Sequence, residues 1–247
     1  MKKTLRFTSA ALTLALAAGM ALPAFAASKD ETVYAVMAPD GSVTSTTVSA
    51  HLYNASGLSG VTDRSTLTDI VNTESDAAFT RSGDSLTWDT TDTDVYYKGN
   101  TSRALPVSAA VTYTLDGETA PLENLLGKSG HLTIRIDLTN NETGTVTVNG
   151  AERTVVTPFI TAVGVVLGED ASNVTLEHGL LESAAKSTVA AFVTLPGVRG
   201  ALSGLLPDSF SAAEDYLQDS VTVEADVENL SAPQILLASA ASAEALG

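Results

Sequence analysis

The sequence predicts a mainly β protein, an antiparallel β-sandwich with one or two short helices behind a cleavable export signal. Three observations predict it. Apolar and polar residues alternate with period two over three long stretches, Asn149-Gly150 stands between two β-prone runs, and helical periodicity is scarce. The 247 residues include no cysteine, which excludes a disulfide framework, a zinc–thiolate site, a cysteine nucleophile and an iron–sulfur cluster. A formal charge of −16 argues against nucleic acid as a partner, because phosphates need clustered Lys and Arg.

The export signal comes first in the chain. Lys2, Lys3 and Arg6 form a basic start, an apolar stretch runs from Ala10 to Leu22, and Pro23 closes it. Ala24-Phe25-Ala26 then places small residues where signal peptidase reads them, so cleavage is expected after Ala26. The apolar stretch is too short to span a bilayer well, and no cysteine follows it for lipid anchoring. No transmembrane helix is therefore expected after cleavage, and the expected location is extracellular or at the cell surface. Cleavage removes three cations and no acid, so the mature chain carries ten Lys and Arg against 29 acids, a net charge of −19. Charge of that size favours solubility and disfavours adsorption to anionic lipid.

Residues 27–100 have the weaker pattern and read as a small N-terminal β/α subdomain, ending at Gly99-Asn100-Thr101-Ser102. Residues 101–232 read as the β-sandwich domain. Val107, Ala109, Val111, Tyr113 and Leu115 alternate with Ser108, Ala110, Thr112 and Thr114. Pro121–Gly127 has proline at its start and glycine at its end, as a short helix requires. Leu132, Ile134, Ile136 and Leu138 then alternate with His131, Thr133, Arg135, Asp137 and Thr139, which predicts one face in a core and one in water. Thr145–Val148 and Thr154–Val156 flank Asn149-Gly150, a hairpin signal because both residues tolerate positive φ. Phe159–Leu167 and Val189–Leu195 are apolar on both faces and predict central strands covered on both sides. Val198–Gln218 is a second helical stretch, broken at Pro207, and Val221, Val223, Ala225 and Val227 alternate with polar neighbours. The Ala-rich tail, 233–247, is expected to begin a longer helix. Several short strands with few helices between them give a general architecture like that of immunoglobulin domains.

Three groups of residues carry a family resemblance. They are Lys29-Asp30-Glu31-Thr32-Val33-Tyr34; Leu86-Thr87-Trp88 with Asp94-Val95-Tyr96-Tyr97-Lys98-Gly99; and Tyr113-Thr114-Leu115-Asp116-Gly117 with Gly127-Lys128-Ser129-Gly130 and Ile134-Arg135-Ile136. In these the chain resembles the exported N-terminal region of large cell-surface proteins of anaerobic Firmicutes. The resemblance implies location and architecture, with a longer chain of helical repeats and a membrane anchor to follow. It carries over no catalytic residue.

Gly127-Lys128-Ser129 lacks the earlier glycine of a phosphate loop, since position 122 is leucine, and a strand rather than a helix follows. It reads as a turn. His51, His131 and His178 are the only histidines; none stands at a ligand spacing from another, and no Gly-x-Ser-x-Gly elbow exists. Asp89, Asp92 and Asp94 form an acidic turn with carboxylates for Ca²⁺, though without the glycine and distal glutamate of an EF-hand loop. A solvated turn is the preferred reading, and no metal or cofactor is expected. Trp88, Tyr96 and Tyr97 are the densest aromatic cluster, able to stack on a sugar or anchor a peptide, or to fill a core.

The expectation is therefore a non-enzymatic exported module for binding, adhesion or spacing at the cell envelope, as the N-terminal part of a longer anchored protein. Its partner would be a protein or glycan of the envelope. The alternatives are a carbohydrate-active enzyme or carbohydrate-binding module, and the ectodomain of an export or envelope-assembly component.

Overall fold

The computed structural model describes residues 27–148, 150–184, 186–203 and 216–241. These are mainly β, in several antiparallel sheets, with one 3₁₀ turn and one single-turn helix among the described residues. The expected export signal and its cleavage point at Ala26 lie outside them. Contacts divide the described chain into two compact units, residues 27–36 with 44–103 and residues 37–43 with 104–241.

The described elements of the first unit are all strands, which corrects the β/α reading of 27–100. Its strands are β1 (Ser28–Met37), β2 (Val43–Tyr53), β3 (Thr62–Arg64), β4 (Thr68–Asn72), β5 (Ala78–Ser82), β6 (Ser85–Asp89) and β7 (Asp94–Asn100). Thr, Val and Tyr, residue types that favour strands, recur in these runs, and glycines at positive φ mark turns at 57, 60 and 83. One sheet has the order β1-β2-β7-β4 and the other β3-β6-β5. Val48, Ala50 and Leu52 of β2, Leu86 and Trp88 of β6, and Val95 and Tyr97 of β7 meet in one core with Leu58 and Leu67. Gly99 permits the last approach: a Cβ there would lie 2.8 Å from both the Leu67 Cβ and the Thr68 carbonyl oxygen. The β4–β7 register shifts between Thr68 and Val71, where Asp69 has a φ of 51°.

The second unit holds β8 (Val107–Leu115), β9 (Glu118–Thr119), β10 (Gly130–Asn140), β11 (Thr143–Val148), β12 (Ala151–Val156) and β13 (Phe159–Leu167). After these come β14 (Ala171–Leu176), β15 (Leu180–Ala184), β16 (Ser187–Thr194), α1 (Val198–Ala201), β17 (Ser220–Val227) and β18 (Gln234–Ala241). Two sheets run β14-β17-β10-β8-β9 and β15-β16-β13-β18, and β11 pairs with β12 as a hairpin. The predicted inner row is buried, with Leu132, Ile134, Ile136 and Leu138 each at most 4% exposed. Val111, Tyr113 and Leu115 on β8 and Val221, Val223 and Ala225 on β17 are buried beside it. The other sheet buries Phe159, Val163, Val165 and Leu167 of β13, Phe192 of β16, and Ile235 and Leu237 of β18. Two sheets burying alternate rows within one compact unit agree with the predicted β-sandwich. Each Leu, Ile or Val so buried contributes roughly 1.5–3 kcal/mol.

Three expectations need correction. The β13 and β16 runs are central in their sheet but covered on one side only, since Ile160 is 44% and Val193 50% exposed. The continuous apolar sequence came from outward alanines and valines, which a pattern of residue types does not separate from core. The tail does not start a helix at its described residues: Gln234–Ala241 is strand β18, paired antiparallel with β13. Burial of Ile235 and Leu237 against the core outweighs the helix propensity of alanine, which is a weak preference. Pro121–Gly127 contains a single 3₁₀ turn, Leu122–Asn124, because only Leu122 and Leu125 are buried there and Gly127 turns away at a φ of 77°. Within Val198–Gln218 the described helix is the four residues Val198–Ala201, and 204–215 lie outside the described residues. The hairpin reading agrees with the structure, with Val148 opposite Ala151 across a two-residue loop.

One buried polar pair joins β13 to the edge strand β18. Thr161 on β13 lies opposite Ser239 on β18, and their hydroxyls are 2.9 Å apart at 0% and 1% exposure.

Candidate functional site

Alternation along β2 and β7 decides what the first unit shows to solvent. Each inward residue, from Val48 to Leu52 and from Val95 to Tyr97, leaves its neighbour facing out. The outward set is Thr47, Ser49, His51 and Tyr53 on β2, and Asp94, Tyr96, Lys98 and Asn100 on β7. Register then pairs them across the strands: Tyr53 with Asp94, His51 with Tyr96, Ser49 with Lys98, and Thr47 with Asn100. The His51 and Tyr96 rings stack with centroids 4.2 Å apart and planes within 2° of parallel. Tyr53 is tilted beside His51 at 6.5 Å. On the neighbouring strand β1, Tyr34 and Val36 also face outward, as does Val71 on β4 opposite Lys98. The result is a patch of large side chains on an open sheet face, rimmed by hydroxyl, amide and charged groups.

His51 is fixed within this patch by Asp94, whose Oδ1 lies 2.8 Å from Nε2. The Thr93 hydroxyl donates to the other Asp94 oxygen at 2.7 Å. Those two contacts, Thr93 first and His51 second, hold the Asp94 carboxyl below the usual carboxylate range.

The acidic turn is not brought together around a cation. The Thr90 hydroxyl donates to Asp92 and accepts from the Asp92 amide, and Asp94 faces Thr93 and His51. Asp89 closes β6 opposite Ala78. Among the described residues no three His, Asp or Glu side chains are placed to hold a metal. Local Asx and Thr turns account for the density of acids here.

The three aromatic candidates separate. Trp88 and Tyr97 are fully buried, packed at 5.4 Å from each other with Phe79 at 5.1 Å from the tryptophan, so neither meets a ligand at the surface. Their side of the pleat is the core side, and Tyr96 alone points outward. The Trp88 indole N–H has no hydrogen-bond partner. Tyr97 has one: its hydroxyl donates to Oδ2 of Asp63, a carboxylate 6% exposed. Burial, and then this bond, push the Tyr97 phenol above its ordinary range. The Lys29 ammonium lies 3.0 Å from Oδ1 of the same carboxylate and 2.8 Å from Oε1 of Glu31, and donates to the Arg64 carbonyl at 3.1 Å. Burial pulls Lys29 down, but its hydrogen bonds, that to Glu31 foremost, hold it above the ordinary lysine value. The residue-by-residue reading passed over Lys29, Glu31 and Asp63. Their signal was slight, a charged residue in phase with the inward positions of β1.

The other histidines lie in the second unit. His131 stands on the solvent side of β10 as predicted, with Nδ1 3.0 Å from Asp226 and Nε2 4.0 Å from Glu224. Gly127-Lys128-Ser129 is a turn strapped to the segment before β18: the Gly127 amide donates to the Leu230 carbonyl and the Leu230 amide to that of Lys128.

Comparison with protein-family models and with curated proteins yields no match.

Proposed function

We propose that the chain is an exported, non-enzymatic module of the cell envelope that works by binding, adhesion or spacing, and that the outer face of the β1-β2-β7-β4 sheet is its contact surface. The observation that carries this reading is the His51–Tyr96 stack with Tyr53 beside it, on a sheet whose neighbouring strand also exposes Tyr34. Aromatic side chains exposed together are costly to hydrate and are the residue types that anchor interfaces. Here they are held by backbone register, so binding orders few side chains. A glycan is the ligand class that the rim favours: Ser49, Thr47 and Asn100 offer neutral hydrogen-bonding groups beside ring surfaces, the usual pairing for a sugar.

The test is cosedimentation of the purified chain with isolated cell envelopes, against a variant carrying Tyr53→Ser and Tyr96→Ser. We expect the variant to remain folded, since both side chains point away from the core, and to lose most of its binding. Competition by soluble envelope oligosaccharides supports the glycan reading; competition only by envelope protein replaces it with the protein reading. Unchanged cosedimentation of the variant would refute the assignment of this face.

A further inference from the structure

We propose that Lys29 and Asp63 are the two halves of an intramolecular amide cross-link, formed by condensation of the Lys29 amine with the Asp63 carboxyl and loss of water. The inference goes beyond the binding role and does not depend on it.

The reacting groups are already in place. Nζ of Lys29 on β1 is 3.0 Å from Oδ1 of Asp63 on β3, so the amine and the carboxyl group it would attack are in direct contact. Asp63 is nearly closed off, its side chain 5% exposed, and that of Lys29 is 21% exposed. The Tyr97 hydroxyl donates to the other carboxylate oxygen, Oδ2, where it draws electron density from Cγ and steadies the charge that would develop there on attack. Glu31 lies 2.8 Å from the same amine and, with its side chain 41% exposed, borders solvent. Lys29 also lies over the Tyr97 ring, 5.7 Å from its centroid, so the amine is covered on that side by the phenol.

The chemistry balances with these four residues. Glu31 takes a proton from the ammonium, freeing the Nζ lone pair to attack Cγ. The tetrahedral centre holds its developing charge on Oδ2 under the Tyr97 hydroxyl. Oδ1 departs as water, carrying two of the three ammonium protons, one of them delivered by Glu31. The third stays on the amide nitrogen. Glu31 and Tyr97 finish as they began, and nothing is oxidised or reduced. Fixed geometry supplies the drive that dilute amine and carboxylate lack, since well-oriented partners behave as if at about 10⁵–10⁸ M. The product also replaces two buried charges, which are costly to desolvate, by one neutral amide.

Without the bond this cluster is a partly buried ion pair between the edge strands of two sheets. With it, the first strand of the unit is covalently fastened to β3.

Peptide mass spectrometry of the purified full chain, kept folded at neutral pH for several days before digestion, decides between them. Trypsin cuts after a free lysine and spares an acylated one. We expect a peptide that runs uncut through Lys29 to Arg64 and is one water lighter than its sequence. Cutting at Lys29, with the Asp63 peptide at full mass, would overturn the proposal and leave an ion pair only. Glu31→Gln should stay folded and be cut at Lys29; if it still cross-links, the proton-carrying role given to Glu31 is wrong. Lys29→Arg keeps the charge and cannot condense, so it should run at full mass and melt below wild type.

Discussion

Ile134 on β10 stands between Val223 on β17 and Tyr113 on β8, and all three are at most 4% exposed. Its neighbour Thr133 stands between Glu224 and Thr114 on the outer side of the same pleat. One residue of displacement thus separates the core of the sheet from its solvent face.

Ile134→Asp should destabilise the second unit by several kcal/mol, because it buries a charge with no partner among the surrounding side chains. Thr133→Asp should cost about 0.5–1 kcal/mol, mostly from repulsion by Glu224 directly opposite. Urea unfolding of the two variants measures the difference, and equal midpoints would place the wrong face inside.

On β13 the same contrast is drawn between Val163, 1% exposed, and Ile160, 44% exposed. Val163→Ser should cost about 2 kcal/mol or more, and Ile160→Ser about 0.5 kcal/mol or less. A large loss at Ile160 would show that its face is covered.

Gly99→Ala should destabilise the first unit by about 1–3 kcal/mol, since the added methyl meets Leu67 and the Thr68 carbonyl at 2.8 Å. Thermal melting reads the effect. An unchanged midpoint would mean that β4 can retreat freely.

His131 should titrate above an ordinary histidine, because its hydrogen bond to Asp226 favours the charged ring. Asp226 should titrate below an ordinary aspartate, held down by Asn173 first and His131 second. A raised histidine stabilises the fold below its unfolded pKa, and that contribution is lost as pH rises through the folded value. A lowered aspartate stabilises above its unfolded pKa and is lost as pH falls through the folded one. The pair therefore contributes most between the two. Proton NMR of His131 should show its pKa fall on Asp226→Asn, and no movement would mean the contact is not made in solution.

The strands were legible wherever one face met water. The alternation from Leu132 to Leu138 gave position and orientation together, because polar residues marked the outer face. Where small apolar residues occupied both faces, as in Ala162, Gly164 and Ala191, the pattern gave a strand but not its exposure. The tail misled for a related reason: alanine carries a helical preference, but whether Ile235 and Leu237 find a core depends on β13, far away in sequence. At the candidate face, Tyr96 and Tyr97 are chemically alike and adjacent, so sequence named both, while pleat parity sends one outward and one inward. Lys29, Glu31 and Asp63 were hidden because their meeting depends on two strands from different sheets, a relation no local spacing encodes.

The hydroxyl pair of Thr161 and Ser239 bears on how β18 finds its place. Ile235-Leu236-Leu237-Ala238-Ser239-Ala240-Ala241 is written in nearly interchangeable letters, and a slide of two residues along β13 would keep apolar side chains inward. Such a slide would set the Thr161 hydroxyl against Leu237 or Ala241 and trade its 2.9 Å partner for the long 3.5 Å contact to the Phe159 carbonyl alone, at about 1 kcal/mol. A single buried match therefore gives a repetitive strand one address instead of three.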